Sequence, residues 1–175
     1  SEGGLGTASK YWASAYIDAI TAATINGIPF YSGPEGNSMY THDVSTTDNE
    51  AKFNTAYGFG AIGANALATF NATDTNGDNV AVGYNTGANL TTGTHNVLLG
   101  NYAGDGFQVG QQNIAIGSFA LSADNAGDYS VAVGTFALSA QNAGSDGVDM
   151  YNTAVGYSAG AAVTTGVRNT LIGGF

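Results

Sequence analysis

NVAVG at residues 79–83 is the phrase on which the fold turns. It returns as NTAYG at 54–58, NVLLG at 96–100, NIAIG at 113–117, SVAVG at 130–134, NTAVG at 152–156 and NTLIG at 169–173. The closing glycines Gly58, Gly83, Gly100, Gly117, Gly134, Gly156 and Gly173 stand 25, 17, 17, 17, 22 and 17 residues apart. Such a period is the mark of a solenoid, in which one unit cannot bury its own apolar surface and stacks on its neighbours. The two long intervals read as ordinary units with surface insertions, at 62–78 and 139–151.

Within the phrase, Val80 and Val82 alternate with Ala81, which predicts a strand with bulky β-branched residues on one face and a small one on the other. Val97 and Leu99 against Leu98, Ile114 and Ile116 against Ala115, Val131 and Val133 against Ala132, and Thr153 and Val155 against Ala154 repeat the pattern. Both faces are apolar, and such strands are normally buried on both sides. A coil of about 17 residues, at ~3.3 Å per strand residue, is too narrow to cover both faces itself. An identical chain presents the same patch at every level, so a homo-oligomer is expected, with Val133 in a buried face.

Six units open with Asn (Asn54, Asn79, Asn96, Asn113, Asn152, Asn169) and one with Ser130. Asn tolerates a left-handed backbone, and stacked Asn side chains form amide ladders. The closing glycines read as turn residues with positive φ. An aromatic follows each of the first six, Phe59, Tyr84, Tyr102, Phe119, Phe136 and Tyr157, usually with Ala after it. This reads as a second short strand carrying an aromatic stack. Tyr84, Tyr102 and Tyr157 are the candidate receptor contacts.

The chain of 175 residues holds 27 Gly and two Pro, with 9% charged and 43% hydrophobic residues, too apolar for a linker or a disordered tail. It has no Cys, hence no disulfide or thiolate chemistry. Thirteen acidic residues against Lys10, Lys52 and Arg168 give a net charge of −10, which argues against a nucleic-acid partner. No apolar run reaches the ~20 residues of a membrane span, and no signal peptide is read, so membrane insertion is not expected.

Three regions follow. Residues 1–30, with the sole Trp12 and no repeat phrase, form a separate N-terminal segment leaning to strand. Residues 31–52, with GPEG at 33–36, read as a connecting loop region, and 53–175 as the seven-copy repeat region. The start at Ser1 and the stop just after a repeat glycine read as a piece of a longer chain.

With phrase, spacing and flanks together, NTAVGYSAGAAVTTGVRNTLIG at 152–173 resembles the repeats of phage tail-fibre proteins and the related head repeats of YadA-like trimeric adhesins. LGTASKYWASAYIDAI at 5–20 is similar to segments that precede such repeats in tail fibres. The adhesin phrase is usually of the NSVAIG type with a shorter period, so the 17-residue unit is closer to the phage version. The resemblance implies an all-β, parallel β-roll or β-solenoid, left-handed, packed as a homotrimer. It implies no enzymatic activity, a place on the virion tail fibre, and contact with a host cell-surface glycan or protein. The alternatives are a bacterial surface adhesin head and a polysaccharide-depolymerising tailspike. Nothing in the chain matches the self-cleaving chaperone that often ends such fibres.

No catalytic residue and no cofactor is expected. Asp74, Asn76 and Asp78 alternate as in a calcium loop, but Gly77 falls one residue early and no Glu follows, so they are weak metal candidates beside a polar loop. Asp124 with Asp128, and Asp146 with Asp149, read as solvated turns. A depolymerase needs two carboxylates about 5 to 9.5 Å apart in a cleft, yet Glu2, Glu35 and Glu50 all precede the repeats. His42 and His95 have no metal-ligand spacing or partner nucleophile. The sequons at Asn71 and Asn89 are expected by chance in so Asn- and Thr-rich a chain.

Overall fold

A computed structural model describes residues 54–62 and 77–174, together with the backbone of four short strands that precede them. Those are β1 (Thr24–Ile25), β2 (Ile28–Pro29), β3 (Tyr31–Ser32) and β4 (Met39–Tyr40). The repeat region adds β5 (Thr55–Tyr57), β6 (Val80–Val82), β7 (Val97–Leu99), β8 (Ile114–Ile116), β9 (Gly127–Asp128), β10 (Val131–Val133), β11 (Val148–Asp149), β12 (Thr153–Val155) and β13 (Thr170–Ile172). Every repeat phrase forms a strand, and all seven pair in parallel in chain order, β5-β6-β7-β8-β10-β12-β13. Register is strict, Ala81 opposite Leu98 and Leu98 opposite Ala115. The molecule is therefore an all-β solenoid of stacked turns about 17 residues long.

Two strands lie in the region read as a connecting loop. β3 and β4 pair antiparallel, and β4 pairs in parallel with β5, so they extend the sheet at its early edge. β1 and β2 form a separate antiparallel pair. The rest of residues 1–53, including Trp12, Glu2, Glu35, Glu50 and His42, lies outside the described residues, as do Asn71, Asp74 and Asn76.

The middle residue of each phrase points inward: Ala56, Ala81, Leu98, Ala115, Ala132 and Ala154 are all fully buried. The bulky positions that flank it point out, Val133 among them, half-buried on the outer face of the sheet. Alternation along a strand forces this outcome once the interior is narrow. At this strand position the coil takes Ala or Leu inside, and the β-branched side chains take the outer face.

Inside, volume is shared between two positions. Leu98 is flanked by Gly87 and Gly104, and a Cβ built on either glycine would come within 2.8 and 2.7 Å of its methyls. Leu171 stands in the same relation to Gly160. In the coils of Ala56, Ala115 and Ala132 the corresponding position carries Ile62, Leu121 and Leu138, each buried, whereas those of Ala81 and Ala154 keep glycine there, Gly87 and Gly160. Three residues further on, Leu90 and Phe107 are buried beyond glycines, whereas buried Asp124 and Gln141 follow Leu121 and Leu138. The coil thus has two core solutions, one built from a strand or loop apolar side chain over Gly, the other from Leu with a polar residue behind it.

The segment after each closing glycine is a turn, not the second strand that the sequence suggested. The reason is the direction of its N–H groups. Tyr102, Phe119 and Phe136 have φ of 56, 59 and 60° and donate to the preceding coil, at Tyr84, Asn101 and Ser118 oxygens. Two residues later Leu121 and Leu138, with φ of 51 and 49°, donate to the following coil, at Ala137 and Ala159 oxygens. Left-handed backbone aims these donors along the rod, at a cost of about 1 kcal/mol or more for each non-glycine residue. The corner glycines do what no other residue can: Gly117 has φ +125°, and a Cβ there would lie 2.5 Å from the Gly134 carbonyl carbon.

Shared volume predicts coupling. Leu98→Ala should cost about 3 kcal/mol by opening a cavity. Gly104→Ala should cost less in that background than in the wild type, because the crowding methyl is gone. Chemical denaturation of the two single variants and the double variant measures this; strict additivity would contradict the packing described.

Candidate interaction surfaces and the polar interior

The asparagine column forms the expected ladder, and it is buried. Asn96 Nδ2 donates to Asn79 Oδ1 at 3.1 Å and to the Gly110 carbonyl at 2.8 Å. Its Oδ1 accepts from the backbone N–H and Nδ2 of Asn113, at 3.0 and 3.2 Å. Two donors and two acceptors are all that a primary amide offers, so the side chain is saturated. Asn79 is saturated in the same way, by Asn54, Gly93 and Asn96.

The ladder changes at Ser130, and the insertion explains why. Each Asn donates to the carbonyl fourteen residues on, Gly93, Gly110, Gly127 or Gly166. For Ser130 that residue is Gly144, which lies exposed in the insertion. Gln141 takes over: its Nε2 donates to Ser130 Oγ at 3.0 Å and to Asp124 Oδ2 at 2.5 Å, and its Oε1 accepts from Asn152 Nδ2 at 2.8 Å. Asp124 Oδ1 also accepts from the N–H groups of Gly127 and Ala143, at 3.0 and 3.1 Å. This clip holds the root of the insertion.

Asp124 and Asp128 are therefore buried, not the solvated turn residues expected. Burial is the main cause that raises the Asp128 carboxyl above its usual range. The N–H of Gln111, donating to Oδ1 at 2.7 Å, opposes it, and the carboxylates of Asp146, Asp149 and Asp124 reinforce it. Asp146 and Asp149 are exposed as expected. The second pair of strands, β9 and β11, joins the insertion to the coil below it in parallel. Met150, fully buried, follows β11 into the interior.

Of the metal candidates only Asp78 is described. It faces His95 of the next coil, carboxylate to Nε2, at 3.4 Å. Among the described residues no group of three acidic, His or Cys side chains could hold a metal ion. Asn89 is exposed in a turn, but its amide donates to the Asp105 carbonyl at 2.7 Å.

The outer surface carries two apolar columns. The first is the outward row of the sheet. Val80, Val82, Ile114 and Val155 are 36–38% exposed, and Ile172 at the last strand 78%. Val97, Leu99, Ile116, Val131 and Val133 are half-buried on the same face. The second column is aromatic. Phe59–Tyr84, Tyr102–Phe119 and Phe119–Phe136 stack with centroids 5.1–5.9 Å apart, whereas Tyr84–Tyr102 and Phe136–Tyr157 meet edge to face. The two edge contacts fall where the aromatic shifts between the first and second residue after the glycine. Tyr84 and Tyr157 are exposed, and Tyr102 is half-buried. Faces are stacked in three of the five contacts, and the rings at the two ends, Phe59 and Tyr157, are the most exposed. A shorter stack, Tyr129 on Tyr151 at 5.0 Å with the Arg168 guanidinium over Tyr151 at 5.7 Å, runs along another corner.

No family model, curated protein or solved structure matches the chain.

The Gln141 clip went unread in the sequence, although its signal was there. Asp124 and Gln141 are 17 residues apart and hold the coil position that Leu90 and Phe107 occupy elsewhere. They accompany the one repeat that opens with Ser.

Gln141→Ala should lower stability by about 2–4 kcal/mol, because Asp124 Oδ2, Ser130 Oγ and Asn152 Nδ2 lose a buried partner together; Gln141→Glu should not restore it, since a second carboxylate would face Asp124. Thermal melts of the variants test this. Asp128 has its folded pKa raised, so its ionised form weakens the fold at neutral pH, and the deficit disappears as pH falls through that pKa. Asp128→Asn, which keeps an oxygen for the Gln111 N–H, should melt above the wild type at pH 7, with the gap closing towards pH ~4.

Proposed function

We propose that this chain is a structural and host-receptor-contacting segment of a trimeric phage tail fibre, without enzymatic activity. The observation that carries the reading is the outward row of the sheet, which has a Val, Leu or Ile at every repeat strand from β6 to β13 and is partly exposed in a single chain. Water against such a row is unfavourable, by ~25 cal/mol for each Å². A straight strip of this kind is a contact surface, and a like chain is the partner whose repeat fits it at all levels. A left-handed wind and three chains come from the resemblance of the repeats to tail-fibre and adhesin-head sequences. In this reading the stacked coils form a stiff shaft or head on the virion. The insertions at 62–78 and 139–151 and the tyrosines Tyr84, Tyr102 and Tyr157 are then the parts that meet a host glycan or protein.

Light scattering on the purified chain tests the assembly, with three times 17.5 kDa expected. Val133→Asp places a carboxylate in the strip of every copy without touching the interior. The variant should keep its β-sheet circular dichroism and fall to the mass of one chain. A wild type of single-chain mass, or a fully assembled Val133→Asp protein, would contradict the reading.

A further inference from the structure

Two Asp-Gly bonds lie wholly within the described residues, at 105–106 and 146–147. Glycine after aspartate puts no Cβ in the way of its own backbone nitrogen, which can therefore approach the preceding side-chain carboxyl. The two bonds stand in opposite surroundings. At 105–106 the chain is pressed against the next coil: a Cβ built on Gly106 would lie 2.5 Å from the Ser122 carbonyl oxygen, and Asp105 Oδ1 is sealed from solvent. The Asp105 carbonyl accepts from Asn89 Nδ2 at 2.7 Å, and its carboxylate accepts from its own N–H and from that of Gly106. At 146–147 the turn stands clear of the coils. Residues 144–147 of the insertion are all exposed, Gly147 has φ +74°, and a Cβ there or on Gly144 would meet no atom within 4 Å. Neither the Gly147 N–H nor the Asp146 carboxylate makes a hydrogen bond or ion pair among the described residues.

We infer that Asp146 is a site of spontaneous covalent modification: in the folded protein its side chain cyclises onto the Gly147 nitrogen and reopens as isoaspartate, whereas Asp105 is protected by the stack of coils. The inference is independent of the function proposed above. The reaction needs water alone. The Gly147 nitrogen attacks Asp146 Cγ, a C–N bond forms, and the carboxyl hydroxyl leaves as water with the proton from nitrogen. Water then adds to either carbonyl of the five-membered imide. Breaking the Cγ–N bond restores aspartate; breaking the bond from nitrogen to the backbone carbonyl carbon leaves the chain linked through Cγ, with that carbonyl now a free carboxylate. Composition and charge are unchanged, and the backbone is longer by the Cβ methylene. β11 begins at the next residue and is paired with β9, so the added length is taken up in the open turn. Ring closure is governed by orientation, and at 105 it would have to break the Asn89 contact and move Gly106 against Ser122. Burial raises the Asp105 carboxyl above its usual range, opposed by the two N–H groups. A carboxyl that holds its proton is the better electrophile, so this shift assists the reaction at 105 and only geometry opposes it there.

The full chain, folded and in denaturant, would be incubated near neutral pH in water enriched in heavy oxygen until the denatured sample shows isoaspartate at both bonds. Digestion and electron-transfer mass spectrometry then locate the isomer and the incorporated oxygen. In the folded sample isoaspartate at 146 should exceed that at 105 by about tenfold or more, the rate equivalent of ~1.4 kcal/mol, and the gap should close in denaturant. Asp146→Glu keeps the charge but would need a six-membered ring, and should stay unmodified. Asp146→Asn should convert faster, with release of ammonia. Equal conversion at 105 and 146 in the folded chain, or none at 146, would overturn the inference. A gap that persisted in denaturant would also overturn it, by placing the cause in local sequence and not in the stacked coils.

Discussion

The buried asparagines of a coil this narrow find their partners along the stack of coils, and that constraint organises the molecule. The interior that Ala81, Ala115, Ala132 and Ala154 line is buried, so an unsatisfied amide there would cost about 1–3 kcal/mol. The asparagine ladder answers with side chains whose two donors and two acceptors are all used along the axis. The left-handed residues answer with backbone N–H groups turned up or down the rod. Their conformational cost is tolerated because the alternative, a buried donor facing nothing, is worse.

Fixing the polar groups also fixes the apolar ones. Once the asparagine side chain is drawn inward, alternation sends the second residue of the phrase out, the middle one in, and the fourth out again. The interior then accepts Ala or Leu at the middle position, with Gly, Leu or Ile across from it. The bulkier Val and Ile are left on the outer face, with Thr, Leu or Tyr at the remaining outward positions. An apolar exterior is thus a direct consequence of a saturated amide interior, and it gives the rod a surface that calls for a partner.

The phrase, its spacing and its glycines made the solenoid legible, because periodicity survives translation into strands without knowledge of tertiary contacts. The asparagine ladder was legible for the same reason. Which face is inside was harder to read, since Val133 and Ala132 are both apolar and only the width of the coil decides between them. Tyr102, Phe119 and Phe136 were misread as a strand because bulky aromatics favour extended backbone; here hydrogen bonds along the axis override that preference. Burial of Asp124 and Asp128 was hidden because local sequence rich in Gly and Asn looks like any solvated turn. What distinguishes them is Gln141, seventeen residues from Asp124, and only the stacked coils bring the two together.

Asn113→Leu tests the governing constraint most directly. Leucine matches asparagine closely in volume and adds apolar surface, so a fold held mainly by apolar burial would tolerate it or gain from it. The substitution removes the acceptor of the Ser130 N–H and the amide donor to the Gly127 carbonyl. Measured by chemical denaturation, the variant should lose roughly 3–5 kcal/mol, with the loss centred on the two adjoining coils in hydrogen exchange. Unchanged stability and protection would show that the buried amide ladder is not what sets the structure.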